Sequence, residues 1–418
     1  MKKYLVFYCL MVFGTFASDV LNLNMGEAIE QAYYSNKLIK KSEIDLNTSD
    51  LQVRQAFKSG LPSLTLNSNW SEIDSKLNRD SGFSQQLVLN QPIFQGFQIL
   101  EGVKSSKNLR NLSELQIEAS KKEVRLAVIE AYLDILRLDE QIQVLNASIE
   151  EFSKNLTKLE RMKVLGMVTE TDLLDLELEK IKLESSLVQV QNAKSIKELD
   201  FKNKVGIKQS QKIALSPNKD IYIKLENIDY DRDLRYTLEN NINIEMANIN
   251  KDLTKSKERI DKAKLLPNVA FQGTYGTKEY QENFSDSLDT DNFAWTVGIN
   301  FSWNVFTFGS NIDGVNIARN NIEKANLDLE STREEIELLL KSTYLNIINL
   351  ENQVKLSERA LERSEKNYDL QKKKYEQQMI SSIEFLGAEN NLRTAKFNLI
   401  DAKISLYYTY HKYLSIRD

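Results

Sequence analysis

Proline and glycine are scarce, at four and 14 in 418 residues. A chain with so few breakers is not assembled from many short elements and tight turns, and it leaves room for very long helices. There is one cysteine, Cys9, and one histidine, His411. That excludes a disulfide framework and a Cys/His metal cluster. Neither a P-loop nor a nucleophile elbow occurs. His411 lies near the chain's end among Tyr407, Tyr408, Tyr410 and Tyr413 and reads as a packing or surface residue. No catalytic residue, cofactor or metal is therefore expected. After the first residues no run of 18 or more uninterrupted apolar residues appears, so no helical membrane span is expected. The formal net charge of −5 is small for this length and gives no support to nucleic-acid binding.

What is present is charge and leucine. Charged residues make up 28% of the chain. With Lys, Glu, Asn and Leu dominant, this is the balance of solvated helices carrying narrow apolar stripes. At the start, Lys2 and Lys3 precede the apolar run Tyr4 to Phe13, with small residues at Thr15 and Ala17. This pattern predicts a secretory leader over residues 1–17, cleaved after Ala17. Val6-Phe7-Tyr8-Cys9 is a poor lipobox, because too little apolar sequence precedes the cysteine. An exported chain without a helical span is periplasmic, secreted or a β-barrel.

The chain is written twice. Gly60-Leu61-Pro62 matches Leu265-Leu266-Pro267 at an offset of 205, and Asn36 then falls on Asn241. Farther on the offset is 212. Gln91-Pro92-Ile93-Phe94 matches Trp303-Asn304-Val305-Phe306, Gly102-Val103 matches Gly314-Val315, and Thr171 to Leu174 matches Ile383 to Leu386. Each half is predicted as helix, strand, strand, long helix, turn, helix. The predicted repeats are 18–205, with a hairpin at 63–94, and 232–418, with a hairpin at 268–303. An irregular equatorial linker at 206–231 joins them. A first helix from Met25 to Ser59 is expected to end at Gly60 and Pro62.

The strands alternate. Phe293, Trp295, Val297, Ile299, Phe301 and Trp303 point one way; Ala294, Thr296, Gly298, Asn300 and Ser302 point the other. Leu64, Leu66 and Trp70 alternate with Thr65, Asn67 and Asn69. A soluble strand pair packed on a core would alternate equally well. Yet the three tryptophans, Trp70, Trp295 and Trp303, all sit on strands, as membrane-interface aromatics do. Four strands cannot close a barrel, and lipid forbids open edges, so a membrane reading requires several chains. Three would supply twelve strands. The polar tips Asp74 to Gly82 and Lys278 to Asp291 would be the extracellular loops.

The long helices carry heptads. Val128, Ile135, Ile142, Ile149 and Leu156 form one seam, and Ala131, Leu138, Leu145, Phe152 and Leu159 its companion. Leu340, Ile347, Val354, Leu361, Tyr368 and Tyr375 repeat the first; the second weakens to Thr343, Leu350, Ser357, Ser364 and Gln371. A seven-residue period predicts coiled-coil packing. A helix of about 68 residues spans roughly 100 Å.

These features together resemble the TolC family of outer-membrane efflux and secretion ducts. The carriers are the duplication, the helix-to-strand exits at Leu61-Pro62 and Leu266-Pro267, the strand-to-helix junctions at Gln91 to Phe94 and Trp303 to Phe306, and the turns Gly166 to Leu174 and Tyr375 to Glu389. The resemblance implies a mainly α chain with a membrane β-barrel. Three chains would build a twelve-stranded barrel, four strands from each, continued by a periplasmic α-helical coiled-coil tunnel. It also implies a homotrimer in outer-membrane lipid, with a large periplasmic portion. A periplasmic adaptor and an inner-membrane transporter of the RND or ABC type would be its partners, and drugs or proteins its cargo. Carried over by position, Thr171, Asp172, Tyr375 and Glu384 would form the periplasmic gate, with Asp172 accepting a hydrogen bond from Tyr375. The sequence departs from the pattern at Ile380, where a basic link partner is expected, and at Gly387, where a second acidic ring is expected. A plainer role for Asp172 and Glu384 is to cap the helices that follow their turns. The competing functional reading is an exported soluble coiled-coil tether.

Overall fold

The computed structural model of the chain describes residues 20–74, 79–165, 167–216 and 228–418. The expected leader with Cys9, positions 75–78 of the first expected hairpin tip, the turn residue Gly166 and positions 217–227 of the expected linker lie outside the described residues. In chain order the elements are β1 (Leu21–Leu23), α1 (Met25–Ser35), α2 (Lys37–Lys58), β2 (Ser63–Asp74), β3 (Arg79–Gln95), α3 (Gln98–Val164), α4 (Glu170–Val205), β4 (Ile213–Leu215), α5 (Tyr230–Asn240), α6 (Ile242–Ala263), β5 (Asn268–Thr277), β6 (Phe293–Ser302), α7 (Ser310–Glu376) and α8 (Ser382–Arg417). Helices α3 and α7 are 67 residues each, and α4 and α8 are 36 each, so the duplication is kept in element length.

The first expected helix is broken at Asn36, which takes an extended conformation. The break is made by the side chain. Asn36 Oδ1 accepts the Leu38 amide at 2.8 Å, and Nδ2 donates to the Lys204 carbonyl at 2.7 Å. Asn241, its counterpart, breaks the second repeat in the same way and caps α6 by accepting the Asn243 amide at 2.9 Å. An Asx side chain satisfies the free amides at a helix start, which is why Asn tolerates a break that apolar periodicity does not reveal. Strands β1 and β4 were not expected. They pair in parallel, Leu21 with Ile213 and Leu23 with Leu215, and three residues are too few to show a period.

Two compact units result. One comprises residues up to 40, 121–230 and 340–416. Here Val128, Ala131, Tyr132 and Ile135 of α3 pack with Ala28 and Ala32 of α1 and Phe201 and Val205 of α4. Gly206 ends α4 with φ +78° and abuts Ser35, where an added Cβ would lie 2.5 Å from the serine Cβ. Nearer the helix turns, Leu145, Phe152, Leu156 and Leu159 pack against Leu176 and Leu183. The heptad seams are thus core. On α7 only the starts of the seams are buried, Leu340 and Ile347 of the first and Thr343 of the second. Ser357 and Ser364 instead border a groove of about 400 Å³ with Asn391, Thr394 and Asn398 of α8.

The other unit comprises 41–120, 231–339 and 417–418. It holds one antiparallel sheet in the order β2-β3-β5-β6. Register fixes its faces. Trp295, Tyr275, Leu87 and Leu66 lie in one row across the sheet, and Val297, Gly273, Leu89 and Leu64 in the next. Phe301, Val269 and Phe94 extend this face beyond a bulge between Pro92 and Phe94, where proline's missing donor costs nothing. The opposite face carries Thr296, Thr274, Val88 and Thr65, then Gly298, Gln272, Asn90 and Ser63. Among the described residues, these rows of the apolar face are largely uncovered. Trp295 is 71% exposed and Ile299 70%. A large apolar side chain is worth roughly 1.5–3 kcal/mol when removed from water, so a face of them needs an apolar medium. The alternation that a soluble core would also produce is therefore assigned by exposure to an outer surface of the chain rather than to its core.

The two faces should respond oppositely to charge. Ile299→Lys should cost about 2–4 kcal/mol when the folded barrel is titrated with denaturant in lipid, while Asn300→Lys should be close to neutral. Equal costs at the two sites would contradict this assignment of faces.

Candidate functional site

The turns between the paired long helices carry matching caps. Ahead of α4, the Asp172 amide donates to Thr169 Oγ1 at 3.2 Å, and the Thr169 amide donates back to Asp172 Oδ2 at 3.2 Å. Ahead of α8, 212 residues on, the Glu384 amide donates to Ser381 Oγ at 3.3 Å and the Ser381 amide to Glu384 Oε2 at 3.1 Å. Both are capping boxes written in sequence as Thr-x-x-Asp and Ser-x-x-Glu. Asp172 and Glu384 thus do cap their helices. Asp172 does more: Ser382 Oγ donates to its Oδ1 at 3.0 Å and reaches Asp175 Oδ2 at 3.4 Å, tying the start of α8 to the start of α4. The hydrogen bond from the Thr169 hydroxyl, aided by Ser382 and the Thr169 amide, holds the Asp172 carboxyl below its ordinary range despite partial burial.

The bond expected from Tyr375 to Asp172 is not formed. Tyr375 Oη is buried without a hydrogen-bond partner, and its ring stacks on Phe385 at 4.7 Å and 5°. The carboxylate is engaged by the cap and Ser382, and the stacking fixes the ring elsewhere. Burial, with the charge of Asp172 adding, pushes the Tyr375 hydroxyl up to about 12. Thr171 and Glu384 are exposed, as is Gly387. Ile380 lines a cavity of about 320 Å³ with Leu159, Met162, Val168, Asp172 and Tyr375. At the second turn Gln378 has φ +60°, where the first repeat has Gly166. A side chain in that region stores roughly 1 kcal/mol or more of backbone strain.

Polar links between helices lie one heptad away from the turns, and sequence reasoning missed them. Arg393 of α8 donates to Glu389 at 2.7 Å and to Glu179 of α4 at 3.4 Å. Ser148 of α3 donates to Glu389 at 2.7 Å. Glu389 is 5% exposed. Burial raises its pKa, against the Ser148 hydrogen bond and the Arg393 charge. On α7, Tyr368 donates to Glu151 of α3 at 3.5 Å, and Lys372 pairs with the same carboxylate. Glu179 is seven residues beyond Asp172, and Tyr368 seven before Tyr375. The i, i+4 pair Glu389/Arg393 was the available signal, but such pairs are ordinary on solvated helices.

The sheet places the tryptophans at different levels. Trp295 pairs with Tyr275, and Trp70 with Phe83. Trp303, just past β6, donates from Nε1 to the Leu265 carbonyl at 3.1 Å. All three are exposed on the sheet's surroundings. At about 3.3 Å per residue, Trp295 to Trp303 spans about 26 Å along the strand. With the tilt of barrel strands this gives about 20 Å of height, most of an apolar band of about 25 Å.

Comparison with known proteins agrees with this geometry. A family model described as outer membrane efflux protein matches residues 28–201 and 234–410, one stretch in each repeat. Outer membrane protein TolC of Escherichia coli (strain K12) is 20% identical, covering 96% of this chain and 84% of that protein. A membrane protein from Pseudomonas aeruginosa matches in structure with a TM-score of 0.82 at 14% identity, covering 94% of this chain and 92% of the other. The Campylobacter jejuni CmeC outer membrane channel matches at 0.80 and 16%, covering 94% and 85%. At such identities the likeness establishes a shared fold: mostly helical, with a few strands given to a barrel.

Two outcomes follow at the turns. Arg393→Ala leaves Glu389 buried without its cation and should cost about 3–5 kcal/mol in unfolding of the helical part; Arg393→Ala with Glu389→Gln should recover much of that loss. Because the folded pKa of Asp172 lies below its unfolded value, its contribution is present above the ordinary carboxylate range and is lost as pH falls through the folded value. Wild type and Asp172→Asn should therefore differ in thermal stability at neutral pH and converge in acid, as followed by helical circular dichroism.

Proposed function

The chain belongs to the outer membrane efflux protein family, and we propose that three copies join their four-stranded sheets into one twelve-stranded barrel continued by a helical tunnel. The protein is an outer-membrane efflux duct. The observation that carries the assembly is the sheet itself, with a largely exposed apolar face and β2 and β6 as its two edges. In hydrocarbon an unpaired edge is prohibitive, and β6 of one copy pairing with β2 of the next removes every edge at once. Exposed Leu174, Leu178 and Ile181 on α4 support side-by-side packing of helices between copies. The small, polar face of Thr296, Gly298, Asn300, Thr274 and Gln272 then lines a wet lumen.

The family is one of ducts rather than enzymes, and transport through such a pore is passive. Energy would come from an inner-membrane transporter of the RND or ABC type, reached through a periplasmic adaptor. Thr171, Asp172, Tyr375 and Glu384 would stand at the periplasmic opening, with exposed Glu384 repeated around the axis and favouring cations. Resistance to opening would come from Ser382 on Asp172 and from the Glu179–Arg393–Glu389 and Lys372–Glu151 links, rather than from the Tyr375 hydroxyl.

The reading is tested by extraction and by conductance. The protein should leave the membrane only with detergent and migrate as a trimer; release by buffer as a monomer would favour the tether. In planar bilayers Tyr375→Phe should conduct like wild type, because the hydroxyl has no partner to lose. Tyr375→Ala, which removes the stack on Phe385, should raise conductance.

A further inference from the structure

The loop between β5 and β6 does not stand away from the sheet. Its closing bond runs from the Lys278 amide to the Asn292 carbonyl at 2.9 Å. Gln281 and Phe83 exchange backbone bonds at 2.8 and 3.0 Å, so the chain runs beside β3 past the end of β5. The following residues then turn onto one face of the sheet. Phe284 packs edge-on against the Phe83 ring at 5.6 Å, and Gln85 Nε2 reaches Ser287 Oγ at 3.4 Å. By register, Phe83 and Gln85 lie on the same face as Leu87 and Leu89, the apolar face.

That face has a weak point. Beyond the Trp295 row comes a row formed by Phe293, Thr277, Gln85 and Ser68, in which three of four side chains are polar. The height from Trp303 to Trp295 falls about 5 Å short of a full apolar band, so lipid would reach this row. The loop shields the middle of this row, Thr277 and Gln85, while Ser68 at its end stays exposed. Ser287 is 0% exposed, Gln85 5% and Thr277 8%. Gln85 Nε2 also donates to Ser68 Oγ at 2.9 Å, and its amide donates to Thr277 Oγ1 at 3.1 Å. On this cover Phe284 remains 50% exposed and Leu288 55% exposed. The loop is internally locked, with Ser287 Oγ donating to the Phe284 carbonyl at 2.7 Å and Asn283 Nδ2 to Asp286 at 3.0 Å. Its neighbouring carboxylates, Glu282, Asp286 and Asp289, are exposed and suit the headgroup level.

We propose that residues 280–288 form an apron lying in the outer-leaflet interface, with Phe284 and Leu288 immersed in lipid and continuing the apolar face of the sheet. The partner of this surface is the lipid, and the loop is a membrane-contact element rather than an extracellular flap. The inference rests on the barrel reading above. Its test uses the trimer in proteoliposomes, in a Cys9→Ser background, with a nitroxide attached at Phe284→Cys, Leu288→Cys, Glu282→Cys or Ile299→Cys. Collision rates with oxygen and with a water-soluble nickel complex are then compared. Phe284→Cys and Leu288→Cys should show oxygen-to-nickel ratios several-fold above Glu282→Cys and approaching Ile299→Cys. If either gives the water-like ratio of Glu282→Cys while Ile299→Cys stays lipid-like, the apron is refuted and the barrel stands. A water-like Ile299→Cys would overturn the barrel itself.

Discussion

The backbone edges of β2 and β6 set the terms for the rest of the protein. A strand edge is a row of donors and acceptors, and hydrocarbon offers them nothing. With a largely exposed apolar face beside those edges, the chain cannot be complete in lipid by itself. Closure by neighbouring copies satisfies both demands together. A long helix follows each strand pair: α3 begins at Gln98, three residues past Gln95, and α7 at Ser310, eight past Ser302, through left-handed residues at Gly96-Phe97 and Phe308-Gly309. Each strand hairpin thus leads into a long helix in chain order.

Duplication supplies economy, and divergence between the copies makes the two helix pairs unlike at their turns. The capping boxes at Thr169/Asp172 and Ser381/Glu384 are equivalent, yet only Asp172 is also bonded by the other turn, through Ser382. The first repeat's seam of Leu145, Phe152 and Leu159 is closed, whereas Ser357 and Ser364 of the second border a polar-lined groove. A helix pair with a sealed seam is a rigid base. One with a polar seam has less burial to lose on moving. The links that join the two pairs, Arg393 with Glu179 and Lys372 with Glu151, are ionic and so depend on geometry rather than area.

Burial changes what these charges mean. Glu389 is held by Ser148 and Arg393 in a place that disfavours its ionised form, whereas Asp172 is held by donors that favour it. The same residue class therefore plays opposite parts a short way apart. A buried pair of this kind gives little net stability but is costly to break singly, so it selects one arrangement of helices over others.

Much of the architecture was legible in the residues themselves. The period of seven, the period of two and the repeat offset require only the order of apolar and polar side chains. These patterns locate the long helices, the four strands and the turns, and the Thr-x-x-Asp and Ser-x-x-Glu boxes are local enough to read directly. The break at Asn36 was hidden, because a helix interrupted for one residue keeps its apolar stripe; the Asn36/Asn241 match carried the clue without its meaning. Three-residue β1 and β4 have no period to see. The Tyr375–Asp172 bond was misplaced, because which groups meet depends on ring stacking and on a competing hydroxyl from Ser382, distant in sequence. The sequence alone determined the long helices, the four strands of the sheet and the chemistry of each face, since those depend on neighbours two, three, four or seven residues away. Tertiary structure alone decided which polar groups are paired, which carboxylate is buried and where the 278–292 loop lies, since those depend on contacts between residues far apart along the chain.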